Sequence, residues 1–279
     1  MSSGKRELLA AATQRLAAAG IGSPRTDAEL LLAHVLEVPR GGLITIEAVG
    51  TEDTTRYEAL IERRVAREPL QHLTGRAPFR HLELAVGPGV FVPRPETELL
   101  IDAVLPALHA QPAPTVVDLC SGSGALALAI AYEVPASRVL AVERSPGALV
   151  WLRRNAQGTP VEVLVADVAD PTPLASRAGT VDVVVSNPPY VPLDCEVEPE
   201  VRADPVQAVY AGVDGLSIIP AVLARAAELL RGGGLVAMEH DDTHATAVAD
   251  LLVQDGRWGE ITGHQDLTGR PRYVTAVKR

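Results

Sequence analysis

From Thr115 to the end of the chain, short apolar runs alternate with helix-forming runs, and this pattern limits the fold more than any other feature. The apolar runs are residues 115–120 (TVVDLC), 138–143 (RVLAVE), 161–167 (VEVLVAD), 181–187 (VDVVVSN), 233–239 (GGLVAME) and 272–278 (RYVTAVK). Between them lie residues 125–133 (ALALAIAYE), 146–156 (PGALVWLRRNA) and 218–230 (IIPAVLARAAELL), which read as helices. Val and Leu fill the strands almost without a break rather than at every second position. Such strands are buried on both faces, which requires a mostly parallel sheet with helices on each side. The expectation is therefore an α/β domain with a doubly covered sheet. Ligands of such sheets bind beyond the carboxyl ends of the strands, so function is read from the residues that follow each strand.

Residues 1–75 show no such alternation. Leu8, Leu9, Ala12 and Leu16 recur at helical spacing in a run that stops at Gly20. Ser23 followed by Pro24 reads as a cap and first-turn proline for a second helix. Thr55 and Glu58 read as a capping box for a third. A small helical domain is expected over residues 1–75. Residues 76–95 hold two extended runs, at 81–86 and 90–92, around a GPG turn, and read as a hairpin-like connector. A further helix begins in PRPETELLIDAVLPAL, placing the α/β domain at residues 96–279.

A length of 279 residues accommodates two domains, and 47% hydrophobic residues supply a core. The formal net charge of −10 argues against non-specific nucleic-acid binding, which needs clustered Lys and Arg. Two cysteines, Cys120 and Cys195, make neither a disulfide framework nor a metal-ligand spacing, so a reducing, cytoplasmic setting fits. The first residues lack the apolar core of a secretory leader, and no apolar run is long enough to span a bilayer. A monomer without a metal is expected.

The strand ends carry the chemistry. DLCSGSGALALA (residues 118–129) follows a strand and opens a helix. Gly122 and Gly124 let the backbone turn sharply beside a ligand, so residues Cys120, Ser121, Gly122, Ser123 and Gly124 read as a cofactor loop rather than a bare turn. The full G-x-G-x-x-G pattern is missing, which argues against NAD or FAD. Glu143 ends the next strand, where a carboxylate can accept bonds from ribose hydroxyls. Asp167 ends the third, and can hold an adenine amino group or cap the following turn. The fourth delivers Asn187, Pro188, Pro189 and Tyr190. The prolines fix φ, the Asn oxygen accepts hydrogen bonds, and the Tyr ring offers a flat wall. Together they read as a recess for a planar NH2 group.

In this order, DLCSGSG, AVE, VAD and NPPY resemble a class I S-adenosylmethionine-dependent methyltransferase acting on nitrogen. EPLQHLTG (residues 68–75), FVPRPETELL (91–100), NPPYVP (187–192) and DPVQAVYAGVDGL (204–216) resemble the HemK/PrmC family of release factor glutamine N5-methyltransferases. The resemblance covers nearly the whole chain. It implies a Rossmann-like class I methyltransferase domain and an N-terminal domain that recognises substrate. It also implies S-adenosyl-L-methionine as cofactor, S-adenosyl-L-homocysteine as product, and the glutamine of a release factor GGQ motif as acceptor. By resemblance, Cys120 to Gly124 and Glu143 contact the cofactor, Asp167 and Val168 lie near its adenine, and Asn187 to Tyr190 hold the glutamine side chain. Asn187 also borders the cofactor, and Thr97 and Glu98 are candidates for lining its pocket.

Three departures stand out. Cys120 replaces a frequent Gly, His72 replaces a usual Tyr, and MEHDDTHATA (residues 238–247) replaces a Glu-x-Gly-x-x-Gln pattern. In that last segment His240, Asp241, Asp242 and His244 read as a surface loop rather than a metal site.

Asn187, Pro188 and Tyr190 are the residues expected to carry catalysis by position and charge stabilisation, with no general base evident. The leading alternative is an exocyclic-amine methyltransferase of nucleic-acid adenine or guanine, which needs a flipped base. A binding module that has lost catalysis and an NAD dehydrogenase stand behind it.

Overall fold

The computed structural model describes residues 3–279, and the chain divides into two compact units. The first holds the residues up to Arg76 together with Glu198–Ala203; the second holds Ala77–Val197 and Asp204–Arg279.

The first unit is built from α1 (Lys5–Ala18), α2 (Pro24–Val35), α3 (Thr51–Val65) and α4 (Leu70–Thr74). Two short strands, β1 (Ser3–Gly4) and β2 (Ala48–Val49), pair antiparallel. Leu16, Leu31, Leu32, Tyr57 and Ile61 are fully buried between the helices, and the Tyr57 hydroxyl donates to the Ala28 carbonyl at 3.1 Å. Ser23 stands at the start of α2, but its side chain makes no capping hydrogen bond. The capping box at Thr55 is also corrected. Helix α3 begins four residues earlier, with Glu52 and Asp53 in its first turn where the helix dipole favours acids. Thr55 Oγ1 instead donates back to the Thr51 carbonyl at 3.1 Å. Buried Arg64 bonds Asp27 at 2.8 Å and Glu200 at 2.9 Å, and Arg67 reaches Glu200 at 2.6 Å. These pairs tie Glu198–Ala203, from the loop after the NPPY stretch, into the helical unit.

A two-stranded hairpin follows, β3 (Arg76–Phe79) and β4 (Leu82–Ala85). It lies one strand earlier in sequence than expected, and residues 90–92 form no strand. Val90 and Val92 are buried with Ala77, Val86 and Ala148, and the Val92 amide donates to Asp204 Oδ1 at 3.2 Å. Alternating burial there reflects a small apolar cluster rather than a ladder.

The second unit centres on seven strands: β5 (Thr115–Leu119), β6 (Arg138–Glu143), β7 (Glu162–Val165), β8 (Val181–Ser186), β9 (Leu230–Glu239), β10 (Trp258–Gln265) and β11 (Pro271–Lys278). Their order is β10-β11-β9-β8-β5-β6-β7. The run from β9 to β7 is parallel, and β11 lies antiparallel to both its neighbours. The helices are α5 (Glu98–His109), α6 (Ala125–Glu133), α7 (Pro146–Ala156), α8 (Val206–Val209), α9 (Ile219–Leu229) and α10 (Ala245–Asp255). Successive strand residues face opposite sides. Val116 and Val183 pack with Ile101, Leu126 and Leu152, while Val117 and Val184 pack with Val222, Leu223 and Leu252. That is the physical reason for the unbroken Val/Leu runs. The polar edge strand β10, half exposed along its length, carries no such run and escaped the sequence reading. Among the described residues, no helix is long and apolar enough to cross a membrane.

Candidate active site

Strand register brings four side chains into one row. Leu119 pairs with Val142 and with Ser186, and Ser186 pairs with Met238. The next residue on each strand is therefore Cys120, Glu143, Asn187 and Glu239, all at the carboxyl edge where the strand order reverses about β5.

On the β5/β6 side the loop is held by carboxylates acting on backbone amides. Cys120, Gly122 and Gly124 all take positive φ, at 64°, 57° and 89°. A side chain on Gly124 would meet Leu152 Cδ1 at 2.7 Å, so glycine there also lets α6 close on α7. Glu143, 9% exposed, accepts from the Gly122 amide at 2.8 Å and from the Arg144 and Ser145 amides at 2.8 and 2.7 Å. Ser121 Oγ donates to the Asp118 carbonyl at 3.0 Å, and the Ser123 carbonyl accepts from Asn155 at 2.9 Å. Asp118 is buried at the end of β5. Its Oδ2 accepts from the Ala127 amide at 3.2 Å, whereas Oδ1 is buried with no hydrogen-bond partner. Burial pushes this carboxyl up to about 7, and pushes the Cys120 thiol up to about 12. Asp167 caps its turn through the Ala169 amide at 2.9 Å and pairs with Arg144 at 2.8 Å, both of which hold its carboxyl below the usual range. The Val168 side chain is buried in the core.

On the β8/β9 side, side chains hold side chains. Asn187 Nδ2 donates to the Thr97 hydroxyl at 3.0 Å, so its Oδ1 is the end left to accept. The Tyr190 hydroxyl donates to Glu239 Oε1 at 2.7 Å, and burial with this neighbouring carboxylate raises the phenol well above its usual value. Pro188 is buried, while Pro189 and Tyr190 are half-buried. The segment at residues 204–216 packs on this turn. The Val191 amide donates to Val209 at 2.9 Å, and a side chain on Gly215 (φ 71°) would meet the Tyr190 carbonyl at 2.3 Å. The FVPRPETE segment joins through Arg94, which bonds fully buried Asp204 at 2.6 Å. Burial raises Asp204 to about 6 despite that partner. Thr97 thus lies at Asn187, whereas Glu98 is used elsewhere, accepting from the Arg80 amide at 2.9 Å.

Comparison with known proteins identifies the family. Residues 7–75 match the PrmC N-terminal domain and residues 82–201 the methyltransferase small domain. The release factor glutamine methyltransferase of Mycolicibacterium smegmatis is 50% identical over 98% of this chain and 97% of its own length. That of Streptomyces coelicolor is 50% identical over 97% and 96%. The chain belongs to the release factor glutamine methyltransferase family. This is a family of S-adenosylmethionine-dependent methyltransferases, and membership favours the protein-glutamine reading over the nucleic-acid one. A 16S rRNA N2 methyltransferase of Thermus thermophilus, solved with AdoMet and guanosine, shares the α/β fold alone. Its TM-score is 0.51 at 21% identity, over 73% of this chain and 50% of that one.

Two departures from the family pattern have structural answers. Cys120 adopts the left-handed backbone that glycine takes most easily. The segment at residues 238–247 is not the surface loop expected, because His240 and His244 are 1% and 7% exposed. The His240 amide continues the pairing of β9 with β11 by donating to the Arg272 carbonyl at 2.9 Å, and His244 packs under Gly215. No group of three or more His, Cys, Asp or Glu side chains among the described residues is placed to hold a metal. Asp118 and Glu239 were passed over as candidates by the sequence reading. An acid as the last or next-to-last residue of an apolar strand is the signal they share with Glu143.

Proposed function

We propose that this chain transfers the methyl group of S-adenosylmethionine to the side-chain amide nitrogen of the GGQ glutamine in peptide chain release factors, as a cytoplasmic monomer whose helical residues 1–75 recognise the substrate. The observation that carries the reading is 50% identity over nearly the full length of two release factor glutamine methyltransferases. The fixed Asn187 amide is its chemical counterpart.

The residues present fit the cofactor. A loop of positive-φ residues, the Glu143 carboxylate at the strand edge and the unpartnered Asp118 oxygen together make a polar cradle suited to a nucleoside bearing a positive charge. Cys120 to Gly124, Glu143, Asp167 and Val168 would hold it, and Asn187 would border it. Once bound, S-adenosylmethionine supplies an electrophilic methyl group with a neutral thioether as leaving group.

The chain's part is orientation. An amide nitrogen is a weak nucleophile because its lone pair is delocalised. Asn187 Oδ1 and the Pro188 carbonyl accept the two N–H bonds of the glutamine NH2, leaving its lone-pair face open to the methyl group. The same acceptors stabilise the positive charge that grows on nitrogen, and the proton leaves to water afterwards. Tyr190 walls the amide plane and excludes water. Leu193 and Val213 are exposed apolar side chains beside this turn, with the Leu193 amide bonded to Gly212 at 3.0 Å, and suit a protein surface.

Methyl transfer from labelled S-adenosylmethionine tests the reading, comparing intact release factor, its GGQ Gln→Ala variant and duplex DNA. Label on the intact factor alone is expected. Label on DNA, or equal label on the Gln→Ala variant, would overturn it.

A further inference from the structure

We infer that Glu200 is a positioning residue: held by Arg64 and Arg67, it anchors the far end of the loop that leaves the NPPY turn, and so presents the exposed residues 193–196 to the polypeptide around the acceptor glutamine. The inference deepens the reading above and takes from it only the identity of that polypeptide.

Residues 191–204 form an irregular loop whose one helical piece is a 3-10 turn at Val201–Ala203. A backbone without ladder or helix bonds holds one shape only where other contacts offset its lost freedom. Three anchors do so here. At the start, the Val191 and Leu193 amides donate to the Val209 and Gly212 carbonyls at 2.9 and 3.0 Å. At the end, fully buried Asp204 accepts from Arg94 at 2.6 Å. Between them Glu200 takes two guanidiniums. Arg67 donates to both of its oxygens, at 2.8 and 2.6 Å, and Arg64 adds a third bond at 2.9 Å. Charge-assisted, forked bonds of this kind are directional as well as strong. The two arginines are themselves aimed by other groups. Arg64 donates to Asp27 at 2.8 Å and to the Glu68 carbonyl at 3.0 Å, and Arg67 to the Ala19 and Gly20 carbonyls at 3.1 and 3.0 Å. The socket is thus built from α2, α3 and the end of α1, and the loop supplies the carboxylate that fills it. What the clasp holds in place is an open stretch. Leu193, Asp194, Cys195 and Glu196 are exposed, Leu193 by 58%. This stretch begins three residues after Tyr190, so a glutamine side chain seated against Asn187 brings its own flanking backbone within reach of it. A stretch already ordered when substrate arrives binds without a further entropy cost.

Four variants of the full chain test this: Glu200→Ala, Glu200→Gln, Arg67→Ala, and Glu200→Ala combined with Arg67→Ala. For Glu200→Ala, both the KM and the calorimetric Kd for release factor are expected to rise roughly 10-fold, with kcat at saturation within about threefold and S-adenosylmethionine Kd within about twofold. Glu200→Gln keeps an acceptor oxygen and recovers part of the loss. The double variant binds release factor no more weakly than the worse single one, because the two residues act as a unit. In the free chain, hydrogen exchange of peptides covering residues 193–199 is faster in Glu200→Ala than in the parent, while strand β8 keeps its protection. That readout and the binding constants need no methyl transfer. A parent that binds release factor without labelling it would therefore overturn the functional reading and leave the clasp to be decided by them. Unchanged release factor affinity in Glu200→Ala, a fall in kcat with KM unmoved, additive losses in the double variant, or unchanged exchange over residues 193–199 would overturn the inference.

Discussion

The two halves of the sheet edge are built on different principles. On the β5/β6 side, Glu143 spends its bonds on three backbone amides and Asp118 on a fourth, so a loop is moulded and one buried oxygen is left over. On the β8/β9 side, Asn187 bonds Thr97 and Tyr190 bonds Glu239, side chain to side chain, and the backbone enters chiefly through fixed prolines. A moulded loop suits the nucleoside part of a cofactor, which methyl transfer leaves unchanged. A side-chain network suits a substrate group whose orientation decides the reaction. The first half should therefore govern affinity and the second turnover.

Substitutions can break that division, and the largest effect is expected where the second half is anchored. Arg94→Ala leaves Asp204 buried without its cation and should cost about 3 kcal/mol of stability at pH 8, measured by urea unfolding. Asp204 titrates at about 6 in the folded chain, so the loss shrinks at pH 5, where the carboxyl takes up a proton. A loss equal at both pH values would contradict this. Glu143→Ala should weaken cofactor binding roughly 100-fold, about 2.7 kcal/mol, yet leave kcat at saturating cofactor within about threefold. A collapse of kcat would move Glu143 into the second half.

Asp118 sharpens the comparison through pH. Its carboxyl titrates near 7 when folded against 3.8 when free, so between those values the folded chain keeps a proton that the unfolded chain has lost. The stability from this group is present at low pH and is lost as pH rises toward 7. Asp118→Asn should remove that slope, so that the parent loses on the order of 1 kcal/mol more than the variant between pH 5 and 8. Equal slopes would show that Asp118 is ionised throughout. The smallest effect is expected at Cys120, whose left-handed backbone costs a side-chain-bearing residue more than glycine. Cys120→Gly should raise stability by roughly 0.5–1 kcal/mol, read as a higher Tm.

The same division decides what was legible in the sequence. The loop half announces itself locally. Gly122, Gly124 and Glu143 lie within 25 residues of Asp118, next to apolar runs that only a buried parallel sheet explains. The network half is assembled across the chain: Asn187 meets Thr97 over 90 positions, and Tyr190 meets Glu239 over 49. NPPY could be read as a recess because prolines and an amide declare their chemistry alone. Glu239 could not, because its meaning depends on the register of β9 with β8. Where local cues failed elsewhere, packing had overridden them. Val90 and Val92 look like a strand but serve a small apolar cluster, and His240 and His244 look like a polar loop but are buried beneath the site.

The account's central claim is that Asn187 acts on the reacting amide rather than on the cofactor. Single-turnover kinetics and calorimetry on Asn187→Ala address it most directly. The predicted result is methyl transfer to release factor slowed by at least about 100-fold, with S-adenosylmethionine Kd changed by less than about threefold. Equal loss of both would contradict the claim and place Asn187 in the cofactor loop's half of the edge.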